Sequence, residues 1–128
     1  MTWNRAQAAQ AVADVLAPVD ELVSVFASPP STFNPPAYIV GYPRRVAYDA
    51  GAGFGVDVAE LPVLAGCGVS EVDRVDQLLE AAHKAVNADP SLGGAVQHAR
   101  VASQDNWRIL SVAGADVLAA DLTVEIRM

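Results

Sequence analysis

The sequence predicts an α/β chain of the α+β type: a mostly antiparallel sheet flanked by an N-terminal helix and one long central helix. Three observations carry this. Within residues 70–94, Val72, Val75, Leu78, Leu79, Ala82 and Val86 recur at helical spacing, with Glu71, Asp73, Asp76, Glu80 and Lys84 on the other face. Runs rich in β-branched residues with period-two alternation stand both before and after that stretch. An alanine-rich helical pattern opens the chain. A single long helix between two sets of strands must cover the sheet they form.

At 128 residues the expectation is one domain. A chain of this length buries about two-thirds of its unfolded surface, enough for a core without staples. Fifteen acids stand against eight bases, for a net charge of −7, and Lys84 is the one lysine. Wrapping nucleic acid needs clustered cations that displace counterions, so this balance disfavours it. Cys67 is the only cysteine, which leaves no internal disulfide. The N-terminus lacks a basic region followed by an apolar run, and no stretch of about 18 apolar residues occurs. A cytoplasmic place of synthesis and no membrane partner are therefore expected.

Residues 3–17 read as the first helix. Ala8, Ala11, Val12, Val15 and Leu16 share a stripe, Thr2 or Asn4 can cap it, and Pro18 ends it. Trp3 at its start is either a hydrophobic lid on the helix end or an anchor in a subunit contact. Residues 22–27 form a short strand. The loop that follows has four prolines, Pro29, Pro30, Pro35 and Pro36, and is stiff and unable to join a ladder. Phe33 at its centre is either tucked under the loop or offered to a partner.

Residues 37–41 are a strand with Tyr38 and Val40 on one side and Ile39 on the other, and residues 44–48 a second extended segment. Arg44 and Arg45 are the only adjacent bases, better suited to rim salt bridges than to a phosphate site. Residues 49–55 read as a glycine-rich hairpin tip bearing Phe54. Gly51, Gly53 and Gly55 fit neither a P-loop nor a dinucleotide fingerprint. Residues 56–66 form the longest strand of the first half. Its alternation slips near Glu60, which predicts a bulge, and Pro62 argues for an edge or a bulge. Cys67 has no neighbouring cation in sequence and reads as an inert thiol.

In the central helix Ser70 and Asp73 form a capping-box-like pair. Asn87 and the Asp89–Pro90 pair stop the helix, and Ser91, Leu92, Gly93 and Gly94 make a tight turn. Three closing strands are expected: residues 95–103, 107–113 and 117–127, with turns at Gln104, Asp105 and Asn106 and at Gly114. The last has Leu118, Ala120, Leu122, Val124 and Ile126 on one face and Asp121, Thr123, Glu125 and Arg127 on the other. His83 and His98 have no evident carboxylate or thiol partner. No catalytic, cofactor-binding or metal-ligating residue is expected.

Four places give the chain a family resemblance. They are residues 35–41 (Pro-Pro-Ala-Tyr-Ile-Val-Gly), residues 61–64 leading into 75–79 on the helix, residues 88–96 around Asp-Pro-Ser-Leu-Gly-Gly, and Gly114 with the amphipathic last strand. Over nearly its whole length the chain resembles the tail terminator (tail completion) proteins of long-tailed bacteriophages. The resemblance implies a mixed α/β fold without catalytic activity. It also implies a homo-oligomer, a hexameric ring at the head-proximal end of the tail. Its partners would be the tail tube protein and a head-closure or connector protein, and DNA would pass through the lumen without specific binding. A virion location follows. An acidic subunit repeated round a ring suits a lumen that does not hold DNA. Contacts round such a ring are heterologous. The interface candidates are Trp3, Phe33, Pro35, Pro36, Arg44, Arg45, Phe54 and Trp107. Alternative readings are another neck component, the same ring in a phage-derived tail-like particle, and a small-ligand-binding or enzymatic α/β domain.

Overall fold

The computed structural model describes residues 3–48 and 55–128. Among these, two helices and six strands form an α+β arrangement. Helix α1 spans Arg5–Leu16, and Asn4 caps it, its side chain accepting from the Gln7 amide. Strands β1 (Ser24–Phe26) and β2 (Ala37–Val40) run parallel; β3 (Arg45–Ala47) and β4 (Val58–Gly68) are antiparallel. Helix α2 is Val72–Ala88, followed by β5 (His98–Val112) and β6 (Ala115–Arg127). The sheet order is β1-β2-β4-β6-β5, with β3 beside β4 on the edge that β2 also uses.

Both helices lie on one face. Alternate residues of β4 (Ala59, Leu61, Val63, Ala65, Cys67) and of β6 (Ala120, Leu122, Val124, Ile126) meet the buried stripe of α2 and the alanine-rich side of α1 in one core. The alanines of α1 let it lie close, and Tyr38 of β2 reaches across to donate its hydroxyl hydrogen to the Leu78 carbonyl of α2. Met128 is held as well, since it and Asp57 exchange backbone hydrogen bonds at 3.0 Å.

Four expectations are corrected. Ser70 does not cap α2: Glu71 occupies that position and makes no side-chain capping bond. Val72, counted on the apolar stripe, is exposed. No bulge interrupts β4 against β6, since eleven consecutive pairs run from Val58↔Arg127 to Gly68↔Val117. Pro62 therefore sits in a central strand, and the reason is local. Its carbonyl accepts from Gly41 N at 2.8 Å, so its nitrogen faces that same edge. Pairing with β2 stops at Val40↔Val63 and pairing with β3 resumes at Arg45↔Glu60. The missing N–H falls opposite that gap and costs no bond to β6.

The fourth correction concerns the closing strands, which are two rather than three. Gln104, Asp105 and Asn106 do not turn the chain. They lie in β5, whose 15 residues oppose the 13 of β6 through two register shifts, at Val101/Ser103 and Asp105/Arg108. Each shift absorbs one extra residue, as a bulge does. Asn106 takes φ 59°, which asparagine tolerates better than most residues. The reversal comes at Ala113 and Gly114, both at positive φ (51° and 81°), joining the pair Val112↔Ala115 in a type I′-like two-residue turn. At the exit of α2 the Asp89 carboxylate accepts from Gly93 N at 2.9 Å, and Ser91 Oγ accepts from Gly94 N at 3.2 Å. That turn carries three positive-φ residues, Leu92, Gly93 and Gly94.

Candidate functional site

The side chains with the most unusual surroundings are on the sheet face that carries no helix. The register places Arg45, Glu60, Glu125 and Arg100 on one rung across β3, β4, β6 and β5. Glu60 and Glu125 stand directly opposite each other, a like-charge pair that would repel. Arginines offset it: Arg100 holds Glu125 through two bonds of 3.2 Å, and Arg127 approaches the same carboxylate at 3.8 Å.

Further along this face lies Asp121, buried although the alternation of β6 points it away from the core. Arg44 Nη2 reaches its Oδ2 at 2.7 Å and Arg108 Nη1 its Oδ1 at 3.1 Å. Asn106 Nδ2 donates to Oδ2 at 3.1 Å. Arg44 also donates to Thr123 Oγ1 at 2.7 Å and lies 3.9 Å from Asp105. Two cations and an amide thus saturate one carboxylate, the condition under which a buried charge is tolerated. Beside this network is a recess of about 290 Å³, lined by Pro29, Pro30, Phe33, Ile39, Pro62 and Leu64 with Arg108 and Asp121 at its edge. Phe33 is half-buried, and a Cβ at Gly66 would lie 3.6 Å from its ring and 3.1 Å from Val117. The contact to Phe33 would be an ordinary one, so the tight fit at glycine 66 is against Val117 on the neighbouring strand.

The interface candidates scatter over the molecule. Trp3 is partly buried against the core, and its amide donates to Asp57 Oδ2 at 2.9 Å. Pro35 is exposed and Pro36 half-buried at the entry to β2, joined by a cis peptide bond. Arg44 belongs to the Asp121 network, while Arg45 is exposed on β3. Trp107 is exposed on β5, the outermost strand. Phe54 lies outside the described residues. His83 shares a cleft with Asp76 and Glu80 between α2 and β5, but His98 pairs with Arg127 on the helix-free face, so the two histidines are not brought together. Among the described residues, no three His, Cys, Asp or Glu side chains gather as a metal site. No helix among them is long and apolar enough to cross a membrane.

Cys67, Tyr38 and Asp20 titrate away from their ordinary values. Burial, then the Glu71 carboxylate, push the Cys67 thiol up to about 11 against an opposing pull from Arg74. Burial raises the Tyr38 phenol. The Leu22 amide and the Arg74 guanidinium, both bonded to Asp20, hold its carboxyl below the usual range. All three lie around Arg74: Asp20 is bonded to it, and its charge acts on both Tyr38 and Cys67.

Sequence reasoning missed the Asp121 network and a set of exposed apolar side chains: Leu22, Tyr42, Tyr48, Val69, Val72 and Ile109. The first had a faint signal, two acids at 105 and 121 with Arg44, Arg100 and Arg108 the nearest bases to answer them. The second had none, because an exposed valine or isoleucine in a periodic run looks like a buried one. Compared with protein-family models and with curated proteins, the chain matches no family and no relative.

Proposed function

We propose that the chain is a structural protein of a phage-type tail: a tail terminator that assembles as a ring on the head-proximal end of the tail tube. It stops tube growth there and joins the tail to the head connector, and DNA passes through the lumen. The reading is supported above all by where the resembling residues fall. Residues 35–41 carry the proline loop into β2, residues 61–64 form the middle of β4, and residues 75–79 put Val75, Leu78 and Leu79 of α2 into the core while Asp76 and Gln77 stay exposed. Residues 88–96 build the exit turn held by Asp89 and Ser91, and Gly114 closes the β5–β6 hairpin. The resembling stretches thus include core strands, the buried stripe of α2 and the two turns that shape the fold, alongside exposed residues such as Pro35, Asp76 and Gln77.

The role needs no chemistry from the side chains. It needs a rigid subunit with two unlike surfaces, since heterologous contacts close into rings. The test is reconstitution: purified tail tube protein is allowed to polymerise with and without this chain, and tube lengths are measured by negative-stain microscopy. Arrested tubes bearing a ring at one end are expected. Tubes of unchanged length with no bound density would overturn the reading. Binding to the portal-side adaptor instead of the tube would move the chain to another station of the neck.

A further inference from the structure

β1 and β5 are the outer strands of the sheet, and they differ. β1 has 3 residues, and so short an edge offers a partner little to pair with. β5 has 15. Over most of its length β5 carries the devices that keep an edge from pairing. The register shifts at Val101/Ser103 and Asp105/Arg108 interrupt it, and the exposed Arg100 and Asp105 place charges beside them. Past the second shift these devices stop. Five consecutive pairs run from Arg108↔Ala119 to Val112↔Ala115. The charge in that stretch, Arg108, is committed to Asp121 at 3.1 Å and to the Asn106 carbonyl at 2.8 Å. Ile109 is 60% exposed, and Trp107, at the shift itself, 40%.

The turn at Ala113 and Gly114 fixes which backbone groups this stretch shows. It closes on Val112↔Ala115, so those two residues exchange their hydrogen bonds across the hairpin. Alternation then points the N–H and C=O of Arg108 and Leu110 at β6, and those of Ile109 and Ser111 away from it. No strand stands on that side among the described residues. Tyr48, beside residues 49–54, follows Ala47 at the opposite end of the sheet, level with Val58, Arg127 and His98. Outward groups at 109 and 111, with Leu110 midway, read the same in either direction. An antiparallel copy centred on Leu110 sets Ile109 against Ser111 of the second copy and Ser111 against its Ile109, so every outward group meets a partner. Arg108 falls opposite Val112 of the second copy, so no like charges meet. Ile109 shares the face of Leu118, and there the two isoleucines become diagonal neighbours, within reach of each other.

We propose that residues 108–112 of β5 pair antiparallel with the same residues of a second copy, about a two-fold axis at Leu110, joining two sheets edge to edge. The occupant is a second copy because the stretch is its own complement in length, direction and hydrogen-bonding groups. β1, the other edge, has 3 residues and matches only part of it. The contact goes beyond the ring reading and does not depend on it. A two-fold contact closes on itself, whereas contacts round a ring are heterologous, so the two use different surfaces.

The test uses the full chain, with light scattering over a concentration series and disulfide trapping. I109K puts a charge on the edge at an exposed position, and S111P removes an N–H that faces away from β6. Each should halve the mass of the wild-type assembly with its circular dichroism unchanged; should S111P lose its fold, I109K decides alone. The two Leu110 Cα atoms would stand about 4.5 Å apart, within the disulfide range of about 4.4–6.8 Å. Mild oxidation should therefore trap L110C as a covalent dimer, and much faster than A102C, a control at the exposed first shift. Cys67 is buried, so wild type should stay a single chain on the same denaturing gel. Three results would overturn the proposal: wild type at the mass of one chain at every concentration, I109K associating like wild type, or L110C trapping no faster than A102C. The terminator reading fails separately. A trapped two-fold contact with tube length unchanged refutes the function and leaves the pairing standing, while arrested tubes with I109K at wild-type mass do the reverse.

Discussion

Replacing Asp121 by alanine tests the central polar network. The carboxylate is 4% exposed, while the Arg44 and Arg108 side chains that hold it are 36% and 31% exposed. Removing one partner of a buried ion pair costs about 3–5 kcal/mol when the remaining charge is stranded. Here both arginines reach water and Arg44 keeps its bond to Thr123, so the loss should sit lower, at about 2–3 kcal/mol. With an unfolding entropy of about 2.1 cal/mol/K per residue, a chain of 128 residues should lose about 7–11 °C in Tm. Calorimetry of D121A, R44A and the double variant forms a cycle, with an expected coupling of about 1–2 kcal/mol for neighbours in one network. Asn106 Nδ2 also bonds this carboxylate, so hydrogen exchange in D121A should rise at the bulge, residues 104–108, before it rises in β4. A Tm loss under about 2 °C, or additive single variants, would show that the arginines merely lie near the carboxylate.

Two further perturbations address the core and the hairpin turn. The folded-state pKa of Cys67 is raised to about 11, so the folded protein holds a proton that the unfolded chain, with an ordinary thiol, releases above about pH 9. Stability is therefore fully present below that pH and declines as pH rises towards 11. Thermal melts between pH 8 and 10.5 should fall less steeply in C67A than in wild type, with the raised Tyr38 phenol accounting for part of the remaining slope; equal slopes would refute the assignment. Ala113 holds φ 51° in an exposed two-residue turn, a conformation that costs alanine about 1–2 kcal/mol and asparagine less, so A113N should stabilise by about 0.5–1 kcal/mol in denaturant titration.

Most of the architecture was legible because it is periodic. The stripe of α2 needs only Val75, Leu78, Leu79, Ala82 and Val86 to be recognised, and β6 needs only its alternation. What escaped depends on contacts distant in sequence. Gln104, Asp105 and Asn106 carry turn chemistry, and Asn106 does adopt positive φ. Fifteen residues away Asp121 captures its side chain, and β6 continues to pair on either side, so the local signal becomes a bulge instead of a reversal. Pro62 likewise breaks a ladder bond only if a neighbour stands on its nitrogen side. Which side that is depends on where β2 ends, a fact about residues 37–40. The slip near Glu60 misled for another reason. Val56 lies before the strand begins, and from Ala59 to Ala65 alternation is unbroken.

Net charge shows the same limit at a larger scale. A value of −7 states a balance and no geometry. In the fold the two helices with their flanking turns, residues 4–21 and 69–94, hold eight acids against three bases. The helix-free face sets five arginines, at 44, 45, 100, 108 and 127, against four acids at 60, 105, 121 and 125. The molecule is therefore acidic on one layer and nearly balanced on the other. If one of these layers faces the lumen of the ring we propose, its charge matters to the DNA. The acidic layer repels phosphates more strongly than the nearly balanced one, whose arginines are mostly engaged by Asp121 and Glu125. On that reading α1 and α2 would line the channel and the Asp121 face would turn outward. The polar network is then a structural seal on the outer sheet, and the surfaces left to meet tube and connector are the rims of the subunit.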